Sequence, residues 1–284
     1  MGKRYLFVIL VFVTNSLQAA SCCGGGGSSS LLIVADNISE LSLSSSYRNN
    51  IGESSSLGEG NFYQNNIKDH TYIHLLEYKT MLNERWQTGH SLSFIQKNLK
   101  KTGQSASFSH LGDYNLAFNY EAVSNYSYTS WPRIFLGFRS NIPFGNNLYH
   151  SKKPLNADVV GNGYYQFGPS FIFAKDGTML SFLPTYSPAQ EGVPYFYLLN
   201  ISLSKSLSFD QWNFIPLVRW NFTSDKKYLA KKIQNWDLGM TISYLINFRY
   251  SIDVGYTDNT LLGKSINAPL AREMMFKINW SENL

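Results

Sequence analysis

Apolar and polar residues alternate with a period of two along most of the chain beyond residue 37. In DYNLAFNYEA (113–122), Tyr114, Leu116, Phe118, Tyr120 and Ala122 share one parity, and Asp113, Asn115, Ala117, Asn119 and Glu121 share the other. RIFLGFRSNI sets Ile134, Leu136, Phe138 and Ile142 against Arg133, Gly137, Arg139 and Asn141. WDLGMTISYLI opposes Trp236, Leu238, Met240, Ile242 and Tyr244 to Asp237, Gly239, Thr241 and Ser243. FRYSIDVGY opposes Phe248, Tyr250, Ile252, Val254 and Tyr256 to Arg249, Ser251, Asp253 and Gly255. Successive strand residues point to opposite sides, so each segment predicts a strand with one apolar and one polar face. The apolar parities begin and end in Trp or Tyr, as strands facing lipid do at the two interfaces.

Twelve such strands are predicted, near 38–48, 69–82, 85–97, 111–124, 132–144, 162–175, 178–188, 194–208, 211–223, 235–247, 248–258 and 271–281. Connections after even-numbered strands are short: NER (83–85), 125–131, KDG (175–177), FDQ (209–211) and the Asn247 corner. Long polar connections follow odd-numbered ones, as at 49–68, 98–110, 143–161, 224–234 and 259–270. Short turns at one end and long loops at the other predict an all-β fold, a transmembrane antiparallel up-and-down β-barrel of about 12 strands. An even count returns both termini to one side, expected to be periplasmic. Pro169, Pro184 and Pro216 fall within strands, where each removes a ladder donor.

Upstream, Lys3 and Arg4 precede the apolar run Leu6 to Val13 and the small residues Ala19, Ala20 and Ser21. That order reads as a secretory signal peptide over 1–21. SCCGGGGSSS follows, so 22–36 is expected to be a Cys/Gly/Ser-rich tether and 37–284 the outer-membrane barrel. Cys22 is a candidate lipidation site; ordinary cleavage leaving free thiols stays open. A disulfide between the neighbours is disfavoured, since adjacent Cα atoms sit about 3.8 Å apart and disulfides prefer about 5.5–6 Å.

Composition narrows the function classes. Only 15% of the 284 residues are charged, against roughly 25% in soluble domains, and aromatics reach 15%. The net charge of +5 is scattered, so no nucleic-acid partner is expected. KKYLAKK (226–232) is the densest basic run and reads as a solvated loop. Parity points Glu40, Glu77, Lys79 and Lys277 inward. It also nominates Asp113, Glu121, Arg133, Arg139, Arg219, Asp237, Arg249 and Asp253 as lumen-lining residues. Outward Lys or Arg would cost about 2–4 kcal/mol at mid-bilayer. An ion-pair network filling a narrow interior and a polar channel lining are both open readings.

Catalytic patterns are weak. GHSLS (89–93) lacks the final Gly and the strand–turn–helix setting of a nucleophile elbow, and His90 and Ser91 point oppositely. HTYIH (70–74) lacks the Glu and helix of a zinc site. HSKKPLNAD (150–158) holds His150 and Asp158 with no nucleophile between them, and no helix follows GNG (161–163). No enzyme, catalytic residue, metal or cofactor is expected.

CCGGGG (22–27), RWQTG (85–89), LGDYNLAFNYE (111–121), IPFGNN (142–147) and ADVVGNGYYQFG (157–168) together resemble a family of predicted outer-membrane proteins of Gram-negative bacteria. Its mature ends carry a CCGGG motif, and some members bear a serine-protease label. More distantly the pattern is similar to transporter-like barrels of aromatic-compound degradation. The resemblance implies an outer-membrane barrel; it supplies no substrate and no catalytic residues. The expected function is a narrow channel or transporter for a small molecule, with outer-membrane lipids and the barrel-assembly machinery as partners. A non-transporting or adhesin-like barrel acting through its outer loops is the alternative, and an outer-membrane hydrolase is a third.

Overall fold

The computed structural model describes residues 31–34, 37–64, 67–101, 103–124, 131–145, 151–152, 154–158, 163–190, 195–224 and 232–283. The leader, Cys22 and Cys23, the Gly/Ser run, most of KKYLAKK and most of GNG lie outside them. Twelve long strands run antiparallel around a closed cylinder. They are β1 (Asn37–Ser54), β3 (Lys68–Met81), β4 (Trp86–Lys101), β5 (Gln104–Val123), β6 (Arg133–Ile142) and β7 (Gln166–Lys175). β8 (Thr178–Ser187), β9 (Phe196–Lys205), β11 (Trp212–Thr223), β12 (Ile233–Asn247), β13 (Tyr250–Asp258) and β14 (Pro269–Asn283) complete the wall. Two short strands, β2 (Gly60–Phe62) and β10 (Leu207–Phe209), extend β1 and β11 at their edges. Closure is made where β14 pairs with β1, in register from Ser39–Glu282 to Asn50–Ala271.

The alternation read from the sequence is the alternation of the wall. Leu43 is 58% exposed and Ser42 and Ser44 are buried; Phe276 and Ile278 are exposed and Lys277 between them is 3% exposed. An outward surface of Leu, Phe, Tyr and Met around an inward surface of Ser, Asn and paired charges inverts a soluble protein. It is stable only with lipid outside. Aromatic pairs mark both ends of the belt: Trp86–Tyr120 and Trp212–Tyr244 toward the short turns, Tyr47–Tyr72 and Trp220–Trp236 toward the long loops.

Three departures from the expected layout have physical reasons. The predicted loop 98–110 is mostly ladder, with β4 and β5 paired out to Lys101–Gln104. Likewise β1 runs on to Ser54. A strand needs about 10 residues to cross a bilayer, so these extensions stand in water, where neither face is apolar and alternation vanishes. Thirdly, Phe248 and Arg249 form the turn between β12 and β13 rather than the start of a strand.

The prolines sit where the ladder is broken. Between β7 and β8 the pairing is interrupted from Phe167–Tyr186 to Phe171–Phe182 with the register unchanged, and Pro169 and Pro184 lie on the two sides of that gap. Pro216 falls just outside the pairing of β11 with β9, which begins at Leu217. On its other side each proline stays in register, Pro169 with Phe138, Pro184 with Leu199 and Pro216 with Met240.

Candidate functional site

The inward face of β1 is a row of small hydroxyls, Ser42, Ser44 and Ser46, all buried. Because they are short, long side chains from the strands on either side meet above them. Lys277 of β14 reaches over β1 to Glu77 of β3 at 3.2 Å, and both are 3% exposed. Ser42 Oγ donates to the same carboxylate at 3.1 Å. Lys79, two residues along β3, bonds Glu40 of β1 at 3.0 Å, and Asn37 Nδ2 donates to the other Glu40 oxygen at 3.1 Å. Two cations and two anions thus form a neutral box across the closing seam.

Residues 31–34 are found inside the cylinder. Leu31, Leu32 and Ile33 are each at most 3% exposed. Gln87 of β4 grips the backbone of Ile33 in both directions: Ile33 N donates to Oε1 at 2.9 Å and Nε2 donates to Ile33 O at 3.0 Å. Asn119 Nδ2 donates to Leu31 O at 3.2 Å, and Arg133 Nη1 donates to Val34 O. Leu32 packs on Phe135, Ile172 and Ala174, the inward side chains of β6 and β7. Gly89 makes the seat, since a Cβ there would lie 2.5 Å from Leu31 O and 2.7 Å from its Cβ. Gln87 and Arg133 stand near the short-turn ends of their strands and Gly89 stands deeper. Followed back from Val34 to Leu31, the chain therefore climbs into the bore. Leu31, Leu32 and Ile33 of the expected tether are buried and Val34 is half-buried, against an apolar patch of Phe135, Ile172 and Ala174; residues 22–30 and 35–36 lie outside the described residues.

Elsewhere the inward side chains bond one another along the wall, between neighbouring strands. Arg133 forks onto Glu121 through Nε and Nη2 at 2.8 and 2.9 Å. Asn141 donates to Asp113 at 3.1 Å and to Asn115 at 2.9 Å, and Asn115 donates to Ser91 at 3.1 Å. Arg219 lies 3.6 Å from Asp237, which also accepts from Asn221 and Asn235. Asn279 donates to Asp253 at 2.8 Å. Toward the long loops Asp158 is 2% exposed and accepts from Ser151 Oγ and the Lys152 N–H.

Of the nominated residues, Glu121, Arg133, Arg139, Arg219, Asp237 and Asp253 occupy inward strand positions, and Asp113, at the irregularity between β4 and β5, is 4% exposed and accepts from inward Asn141. Arg249 does not: it is exposed in the turn, its guanidinium 5.2 Å from the Phe248 ring. Lys79, Glu40, Glu77 and Lys277 prove as central as any of these. Gln87 and Asn119, which hold the inserted segment, carry no charge to draw attention; their inward parity was the only signal. GHSLS is split across the wall. His90 faces outward, its Nδ1 2.6 Å from Tyr114 Oη and its Nε2 3.2 Å from Thr88 Oγ1, while Ser91 and Ser93 are buried on the inward face. His74 also faces outward and stacks on Phe94, and Tyr47 Oη lies 2.8 Å from His70 Nδ1. Cys22 lies outside the described residues.

No family model matches the chain, and no curated protein matches it. Solved structures do. An outer membrane channel from Pseudomonas putida F1 superposes with a TM-score of 0.63 at 8% identity, over 87% of this chain and 96% of that one. The translocator domain of the autotransporter NalP from Neisseria meningitidis superposes with a TM-score of 0.54 at 6% identity, over 85% and 88%. At such identities the likeness is one of fold.

Proposed function

We propose that the chain is a narrow passive channel of the bacterial outer membrane for a small polar molecule, narrowed at its short-turn end by its own residues 31–34. The observation that carries this reading is the separability of what fills the bore. A barrel built only as a scaffold fills its interior with side chains of its own strands. Here the inward wall offers Gly89 and a serine row, and the space at Gly89 is taken by a segment that the strands do not include. Four side-chain hydrogen bonds hold it, each worth about 1 kcal/mol net, together with the burial of Leu31, Leu32 and Ile33, so it is seated as a plug that no strand pairing ties down. The outward apolar belt and the likeness in fold to an outer membrane channel support the location.

On this reading the short turns lie in the periplasm, the long loops outside, and the chain is delivered by the barrel-assembly machinery after removal of residues 1–21. The experiment is single-channel recording in planar bilayers. Full-length protein should give small, intermittent conductance, and a variant lacking 31–34 should conduct more and stay open. Silence from both would instead select the closed, non-transporting barrel. Mass spectrometry of the mature N-terminus decides whether Cys22 is acylated.

A further inference from the structure

The water-exposed extension of β3, β4 and β5 carries a polar cup on its outward wall, the side against which lipid lies. Lys68 and Lys100 stand directly opposite one another in the ladder. Like charges in that position repel. Both are exposed, and neither side chain makes a hydrogen bond or ion pair among the described residues. Asn98, Ser105 and Ser107 share the same face, Asn98 opposite both His70 and Ser107 and Lys100 opposite Ser105. Together with His70 these residues line a concavity of about 280 Å³. Among the described residues its polar side chains include two ammonium groups, an amide and two hydroxyls able to donate, beside His70 Nε2, with Leu99 and Ala106 completing the lining. Asp69, the nearest acid in sequence, is of opposite parity and pairs with inward Leu99.

The cup's position selects the ligand. Lys68 lies four residues beyond Tyr72, roughly 13 Å along the strand. Tyr72 packs at 5.2 Å and a tilted angle against Tyr47, whose hydroxyl lies 2.8 Å from Nδ1 of His70, one of the cup's lining residues. Aromatic residues of that kind sit at the level where hydrocarbon gives way to headgroups. We infer that Lys68, Lys100, Asn98, Ser105 and Ser107 bind a phosphate group on the headgroup of an outer-leaflet glycolipid. The inference rests on the membrane reading above, with the long loops outside. An ammonium pair with hydroxyl donors suits a phosphate as a compact multiple acceptor, and bound phosphate would turn the Lys68–Lys100 repulsion into a bridge.

The test uses full-length protein extracted from outer membranes in mild detergent, with folding checked by heat-modifiable gel mobility. Binding of purified bisphosphorylated glycolipid and of its dephosphorylated form is measured for the wild type, for Lys68→Gln/Lys100→Gln, and for Lys175→Gln/Lys205→Gln at the opposite end. Expected is tight binding of the phosphorylated form alone, weakened about tenfold for each lysine removed from the cup and unchanged by the control pair. Inorganic phosphate should compete only at far higher concentration; competition at equal concentration would show a free-phosphate site and overturn the lipid assignment. Equal binding of the dephosphorylated form, or no loss in the cup variant, would show a merely solvated basic face and overturn the inference. Orientation is read separately by labelling Leu57→Cys, exposed in the connection after β1 at the same end, on intact cells with an impermeant maleimide, in a Cys22→Ser/Cys23→Ser background. Folded protein labelled only after the outer membrane is opened would overturn the orientation, and the inference with it.

Discussion

Gly89 is where the barrel wall makes room for the inserted segment. Its missing side chain leaves the space that Leu31 occupies, and a Cβ there would meet both the carbonyl and the side chain of Leu31 well inside contact distance. The β4 backbone cannot retreat, because it is paired on both sides. Gly89→Val should therefore leave the barrel folded and expel residues 31–34. The measurable consequence is a conductance close to that of the variant lacking those residues, with wild-type heat-modifiable mobility. A conductance unchanged from wild type would mean that the segment does not limit the pore. Arg133 makes the opposite case. It ties Glu121 with two hydrogen bonds and holds Val34 with a third, so Arg133→Met strands a carboxylate whose side chain is 5% exposed. Loss of one partner from a buried pair costs about 3–5 kcal/mol. The partial exposure of the guanidinium puts the expected loss in urea unfolding near the lower end, about 3 kcal/mol. Glu121→Gln/Arg133→Met should recover part of it.

At the level of strands, the β7–β8 pairing is the weak stave. Its ladder lacks partners between Phe167–Tyr186 and Phe171–Phe182, whereas β13 and β14 pair without interruption from Tyr250–Trp280 to Asp258–Arg272. Amide exchange in detergent should accordingly be faster for Ser170 and Leu183, beside the gap, than for Val254 and Phe276. Equal protection would show that the gap is closed in solution. The same contrast explains what could be read from the chain. Strands β5, β6, β12 and β13 were legible because lipid on one side and polar groups on the other impose opposite demands on neighbouring residues. Where water bathes both faces, as in Gln104–Ser109, the demands are equal and the pattern disappears although the ladder continues. Arg249 followed the parity of the strand after it, yet two residues were needed to turn the chain, and parity has no meaning within a turn. Leu31–Val34 was illegible for a different reason. Four apolar residues are too few to show a period, and their burial depends on a patch assembled from β6, β7 and Gly89, which no local window contains.

Across the whole molecule, the first and last strands must find one another for the cylinder to exist, and the ladder between β1 and β14 is chemically like every other. The box of Glu40, Lys79, Glu77 and Lys277 distinguishes it. Lys277 does not stop at its neighbour β1 but bonds Glu77 on the strand beyond, so its ion pair can form only once three strands, β14, β1 and β3, are in register. The serine row makes that reach possible; Ser44 is the ladder partner of both Lys277 and Leu75. Two consequences follow. Lys277→Met should lower the temperature at which the compact band converts to the unfolded band in detergent gels, because Glu77 would be left buried with its strongest partner gone, a loss of about 3–5 kcal/mol. Lys277→Met/Glu77→Met should restore much of it, since removing a buried pair entirely is often close to neutral. Ser44→Leu tests the geometry rather than the charge. It keeps every ionic group but fills the gap over which the two side chains meet, and should destabilise the seam about as much as Lys277→Met. Were Ser44→Leu to melt like the wild type, the pair would not bridge across β1, and the closing seam would stand on its ladder and the Ser39–Glu282 hydrogen bond.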